Sequence, residues 1–258
     1  MLLRKDAEGV IAVSQPAHAW VSGQLARNWR QTDFVGVREE VCLAAEQHDI
    51  GFLEWEQSPT LNPNTGLPHT FLEMPRGLHL EIWTRGIQQI LRFGRYPALL
   101  VSRHFTGLAQ RNGPGDTAEE QKLLKEFVER QEELQTNLET SLANDFYYGE
   151  FSTEEIIHHH QQLVSLWDWM SLLLCHGLEK SQLVGWAEWK RQGIELRLTP
   201  AAEEPTRVTV KPWPFAAQAF DVVCEGRHLL RTYTGEKEMR QGLKAAAPLV
   251  VQVRLEPG

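Results

Sequence analysis

The sequence predicts a mainly α-helical bundle carrying a small β-rich appendage. Three observations predict it. Apolar residues recur at helical spacing in segment after segment between Gln15 and His176. Helix-start signatures punctuate the same stretch. After Gly193 the pattern changes to short alternating runs.

The elements follow in chain order. Leu2 to Arg4 and Val10 to Ser14 flank an Asp/Gly turn, Asp6 to Gly9, and read as a hairpin. Gln15-Pro16 opens a helix that runs to about Trp29, proline being favoured in a first turn. A second helix covers Val37 to His48, with Val41, Ala44, Ala45 and His48 on one face, and Gly51 can end it. Residues 54–75 are rich in Pro, Asn and Gly and read as a long structured loop, a type that is often functional. Helices return from Arg76 to Phe93 and from Pro97 to Ala109. A capping pattern at Asp116 starts one to about Leu142, and Ser152–Glu155 starts one to about His176.

Strand-like runs then appear at Ile194–Leu198, Arg207–Lys211, Asp221–Glu225 and Val250–Leu255, with a short helix over Lys237–Ala247. The division expected is a helical domain over 15–190 and a β-rich unit over 191–258, with the hairpin at 1–14 as a candidate addition to it.

Composition narrows the function classes. The chain has 258 residues, 42% of them apolar and 23% charged, as in an ordinary globular protein. Its net charge is −8, from 26 basic and 34 acidic residues. That balance disfavours nucleic-acid polymers and anionic membranes as partners. Cys42, Cys175 and Cys224 are scattered and odd in number, which fits a reducing cytoplasm better than a disulfide framework. No run reaches the roughly 18–20 apolar residues of a membrane span, and the N-terminus lacks a signal-peptide core. The expectation is a soluble cytoplasmic protein, with homo-oligomerisation left open.

The chemistry lies in a dispersed set of imidazoles and carboxylates. His48-Asp49 ends a helical pattern inside AEQHDIG. His18 precedes it, His79 and His104 follow, and Asp168 comes last. Histidine and carboxylate are ligands of divalent transition metals, and facing helices commonly build such sites. Asp168 sits in the apolar stretch LVSLWDWMSLLLC, where a carboxylate without a partner is costly. Gln161 lies seven residues earlier on nearly the same face. The candidate ligands are therefore His18, His48, Asp49, His79, His104 and Asp168. One or two divalent ions are expected, iron or manganese first, with zinc, nickel, cobalt or magnesium also admissible.

Arg76 and Arg103 are candidates for substrate phosphate, with Arg85 nearby. Trp55 and Asn62, from the 54–75 loop, and Gln161 are further candidate substrate-binding residues. The run His158–His160 reads as surface. Phosphate loops, G-x-S-x-G elbows and H-E-x-x-H pairs are absent.

These residues resemble the HD-domain superfamily of metal-dependent phosphohydrolases, over roughly residues 15 to 176. His18, His48-Asp49 within HDIG, and Asp168 match the positions that hold the first metal there. His79 and His104 match the two additional histidines of binuclear members, in which the HD aspartate bridges both ions. The chain departs from the cyclic-dinucleotide phosphodiesterases of that superfamily, with Phe52 where they usually carry Lys and no GYP signature. The runs LNPNTGLP, ALLVSRHF and VKPWPF also resemble a bacterial family catalogued only as a domain of unknown function.

The resemblance implies a hydrolase acting on a phosphorylated small molecule or nucleotide, with His48 and Asp49 as catalytic residues. Metal ions would polarise the phosphoryl group and activate water. The same ligand order occurs in HD-type di-iron oxygenases, relatives of myo-inositol oxygenase, and a silent metal- or ligand-binding protein is the third reading.

Overall fold

The computed structural model describes residues 1–30, 36–185, 193 and 195–258. The expected domain division at 190/191 and the expected strand start at Ile194 lie outside the described residues.

Local signals place the helices. Strands β1 (Leu2–Lys5) and β2 (Val10–Val13) join through a turn in which the Asp6 carboxylate accepts from the Glu8 and Gly9 amides. Helix α1 (Gln15–Asn28) starts where the Ser14 side chain accepts from the Ala17 amide, with Pro16 in its first turn. Helix α2 (Glu39–Gln47) carries Glu39 and Glu40 in its first turn, where negative charge suits the helix dipole. A tight corner then leads to α3 (Phe52–Glu56). Gly51 makes that corner possible: a Cβ there would stand 2.3 Å from the Ile82 carbonyl oxygen. The corner holding His48 and Asp49 is thereby pressed directly on the next long helix.

The segment expected as a loop carries a small ribbon, β3 (Leu61–Asn62) and β4 (Leu67–Pro68), and one 3-10 turn at Phe71–Glu73. Gly66 turns the ribbon at φ 68°, and its carbonyl accepts from the Tyr233 amide. Helices α4 (Arg76–Ile90), α5 (Arg95–Arg111), α6 (Ala118–Ala143) and α7 (Glu154–His176) follow. A full capping box, Thr117 with Glu120, starts α6, and Thr153 caps α7.

The remaining strands are β5 (Gln182–Val184), β6 (Leu196–Pro200), β7 (Arg207–Lys211), β8 (Phe220–Leu229) and β9 (Pro248–Pro257). Helix α8 (Glu236–Ala245) lies between the last two.

These strands correct the expected fold class. The chain is not a mainly helical HD-type bundle with a minor β appendage. It is an α+β fold, 51% helical, with a curled seven-stranded mixed sheet resembling a half-barrel and a separate two-stranded ribbon. The large sheet runs β1-β2-β8-β9-β7-β6-β5, antiparallel except where β7 and β9 run parallel. Register is set by β2 on β8, with Val13 opposite Gly226 and Val10 opposite Leu229.

The physical reason for the difference is range. Alternation within a strand is local, whereas the β2–β8 pairing that joins the N-terminal hairpin to the C-terminal strands links residues more than 200 positions apart, such as Val10 and Leu229. Inward-facing Val13, Leu198, Val210, Val222 and Leu255 share one apolar core with Leu25 of α1 and Trp167 and Leu174 of α7. The sheet is therefore the platform on which α1 and α7 lie. The turn Pro212–Phe215 also belongs to that platform: Phe215 meets Trp29 edge-on at 5.4 Å, and the Pro214 carbonyl accepts from the Arg30 amide.

Candidate metal centre

Five side chains from four elements meet beneath the α2–α3 corner. His18 comes from α1, His48 and Asp49 from the corner itself, His104 from α5 and Asp168 from α7. All five are buried. His18 Nε2 lies 2.7 Å from Asp49 Oδ2. His48 Nε2 lies 3.2 Å from Asp168 Oδ1 and 3.6 Å from Asp49 Oδ2, and His104 Nε2 lies 3.4 Å from Asp168 Oδ2. Two groups with metal-ligand spacing result, His18–His48–Asp49 and His48–His104–Asp168, and they share His48.

The Nδ1 atoms decide what the Nε2 atoms can do. His48 Nδ1 donates to the Ala45 carbonyl at 2.8 Å. His18 Nδ1 lies 2.9 Å from Ser171 Oγ, whose own proton goes to the Asp168 carbonyl, so the imidazole is the donor. His104 Nδ1 lies 2.7 Å from Ser165 Oγ, which also accepts from Gln161 Nε2. In neutral His18 and His48, Nε2 is then a lone pair facing carboxylate oxygen. An acceptor facing an acceptor in a buried site needs a cation between them or a proton on the ring. His48 Nε2 and His104 Nε2 have no hydrogen-bond partner.

Electrostatics point the same way. Burial opposes charge on His48, but Asp49 and Asp168 outweigh it and carry its pKa up to about 9. Burial raises Asp49 and Asp168, yet the facing histidines outweigh it, holding Asp49 below and Asp168 well below the ordinary carboxylate value. Burial dominates at His104 and pushes it down. The donor set fits a divalent transition ion: imidazole nitrogens fixed through their second nitrogen, beside two ionised carboxylates.

The remaining candidates fall in different places. His79 lines the same pocket but belongs to neither ligand group. Its ring packs 4.4 Å from Trp83 and 5.6 Å from Phe52, and burial lowers its pKa to about 4. Arg76 donates to the Gly113 and Asn112 carbonyls. Arg103 is held by Glu139 and Glu154, and Arg85 by Glu54 and Glu81.

Trp55 packs against the core, and Asn62 of the ribbon donates to Glu73 of the 3-10 turn. From residues 54–75 it is Phe71 and Leu72 that reach the pocket. Gln161 acts on the site through Ser165. Of the run His158–His160, His160 is not at the surface: it is fully buried, with Nδ1 2.7 Å from the Tyr96 hydroxyl.

Several residues of the site escaped sequence reasoning. Ser165 and Ser171 stand three residues before and after Asp168, on its helix face, and that i±3 spacing is the signal that finds them. Gln15 donates Nε2 to Asp49 Oδ2 at 3.2 Å, while its Oε1 is buried without a partner. Its backbone amide is held by the buried Glu56 carboxylate.

The pocket over these groups has a volume of about 410 Å³, within the usual range of small-molecule sites. No helix among the described residues is long and apolar enough to cross a membrane. No curated protein and no solved structure matches the chain. A family model described as a protein of unknown function (DUF3891) matches residues 1–231, and the chain belongs to that family.

Proposed function

We propose that the chain is a metal-dependent hydrolase related in its site to the HD-domain superfamily, acting on a phosphorylated small molecule. The observation that supports it is His48 Nε2, buried, without a hydrogen-bond partner, and 3.6 and 3.2 Å from the carboxylates of Asp49 and Asp168, a position that calls for a cation, proton or metal ion. His18, His48, Asp49, His104 and Asp168 would hold one or two divalent ions, iron or manganese by preference. Bound there, such an ion supplies Lewis-acid polarisation and water activation near neutral pH.

The chain's own residues do the rest. Ala45, Ser165 and Ser171 fix the three imidazoles so that each Nε2 faces inward. Gln15 steadies Asp49 through its Nε2 and lines the pocket beside it. Apolar walls keep bulk water out, which strengthens every charge interaction inside. The catalytic assignment stays with His48, which the two candidate groups share, and with Asp49 beside it.

The test has two arms. Protein purified without chelator is assayed for metal per chain, beside His48→Ala and Asp49→Ala, which are expected to lose it. The manganese-loaded chain is then given a panel of phosphate esters, with phosphate release expected. Retention of metal by both variants overturns the site. Oxygen consumption by an iron-loaded, mixed-valent form in Mössbauer spectra, without phosphate release, overturns the hydrolase in favour of an oxygenase.

A further inference from the structure

Gln15, His48, Asp49 and Asp168 line the pocket beside the candidate ligand cluster, and His79, Asn112 and His176 are the other polar side chains of its wall. Phe52, Phe71, Trp83, Phe105, Leu108 and Leu172 make most of the remaining wall. At the mouth two large apolar side chains stay in solvent, Leu72 at 80% and Trp169 at 49% exposure. Exposed apolar groups of that size beside a concave site mark a binding surface rather than ordinary surface scatter.

The charge inventory is equally one-sided. Among the described residues, no Lys or Arg lines this pocket. Arg76 and Arg103, the cations nearest in sequence to His79 and His104, are engaged by backbone carbonyls and by carboxylates. A nucleotide brings a ribose and a base with many hydrogen-bonding groups, and beyond the ligand cluster and Gln15 the wall offers only His79, Asn112 and His176 to them among apolar side chains, so most would be left unsatisfied. An alkyl or aryl group loses nothing there and gains from leaving water.

We infer that this site takes a substrate whose body, beyond the group that meets the ligand cluster, is uncharged and apolar, an alkyl or aryl chain lying between Phe71, Trp83 and Leu172 and emerging between Leu72 and Trp169. The inference rests on the hydrolase reading for the phosphoryl head alone. It excludes nucleotides as preferred substrates and assigns the Phe71–Leu72 turn a role in substrate choice.

Binding rather than turnover tests it. Manganese-loaded protein is titrated calorimetrically with methyl-, butyl- and hexylphosphonate, which the enzyme cannot hydrolyse, and with a nucleoside monophosphate. A parallel series uses aceto-, hexano- and octanohydroxamate, which carry a metal-seeking head without phosphorus. One buried methylene is worth about 0.8 kcal/mol, or roughly fourfold in affinity. The expected gain from methyl- to hexylphosphonate is at least about 30-fold, with the nucleotide weaker than hexylphosphonate.

The neutral double variant Leu72→Gln, Trp169→Gln removes the apolar mouth without adding charge. It is expected to lower the ratio of hexyl- to methylphosphonate affinity several-fold, and an unchanged ratio counts against the exit between these two side chains. Length dependence in the hydroxamates alone keeps the apolar pocket and rejects the phosphoryl head of the proposed function. Flat affinities in both series, or a nucleotide that binds tightest, overturn the inference.

Discussion

Ser171 Oγ accepts from His18 Nδ1 at 2.9 Å and passes its own proton to the carbonyl of Asp168, one turn back on the same helix. One hydroxyl thus sets the orientation of a candidate ligand on α1 and is itself fixed by the backbone of a candidate ligand on α7. Ser22 donates to the same oxygen at 2.8 Å and closes the arrangement.

Ser171→Ala should therefore weaken the site without dismantling it. The His18 ring loses its acceptor, and loss of such an outer partner lowers metal affinity by about 10- to 100-fold. Competitive titration of manganese against a chromophoric chelator measures the change. Affinity equal to that of the parent chain would show that Ser171 does not position His18.

His48 and His104 should differ in consequence. His48 belongs to both ligand groups and His104 to one. His48→Ala is expected to reduce bound metal to background. His104→Ala leaves His18, His48 and Asp49 together and should retain metal at reduced affinity. Metal analysis after gel filtration distinguishes the two, and equal loss in both variants would contradict the overlap.

Stability of the metal-free chain should depend on pH in a defined way. His48 is raised from 6.5 to about 9 on folding. Its contribution is complete below pH 6.5 and is lost as pH rises through 9. His79 and His160 are lowered by burial, to about 4 and about 3. Their contribution is present above 6.5 and is lost as pH falls toward those values. Thermal melts should peak near pH 6.5 and decline on both sides. Saturating manganese should remove the alkaline decline, because the ion replaces the proton as the cation His48 requires. An unchanged alkaline limb with metal present would count against that exchange.

Gly66→Ala should destabilise the ribbon that leads to Phe71 and Leu72. Gly66 has φ 68°, and a Cβ would come within 2.8 Å of the Thr232 side chain and 2.9 Å of the Tyr233 carbonyl oxygen. A left-handed non-glycine residue costs about 1–2 kcal/mol before any clash. Each 1 kcal/mol lowers Tm by about 2–4 °C in chains of this size. Differential scanning calorimetry should show a fall of at least a few degrees, with metal affinity retained.

Helices were legible because their signals are local. The signatures read at Asp116 and at Ser152 lie one residue before the observed caps, Thr117 with Glu120 and Thr153, and Pro16 sits in the first turn of α1 as read. The cluster of His18, His48, Asp49, His104 and Asp168 could be picked out as a set, since His48-Asp49 and an aspartate inside an apolar helix are unusual wherever they sit, whereas His79 joins neither group. The sheet was not. Val10–Val13 carries no sign that its partner is Gly226–Leu229, because strand alternation specifies a face and not a neighbour. The arginines misled for a related reason: charge in a sequence does not reveal that Glu139 and Glu154 already hold Arg103. Gln15 was read only as a helix opener, since its hold on Asp49 depends on how α1 meets the corner.

The position of β9 carries a consequence for biosynthesis. This strand lies between β8 and β7, so the two halves of the sheet stay separate until Pro248–Pro257 has been made. During translation, α1 and α7 emerge long before the surface they rest on is whole. The β2–β8 pairing in addition spans more than 200 residues, and such long-range contacts slow folding. The apolar undersides of those two helices stay uncovered in that interval, so aggregation and chaperone capture should centre on nascent chains that have yet to receive their last strand.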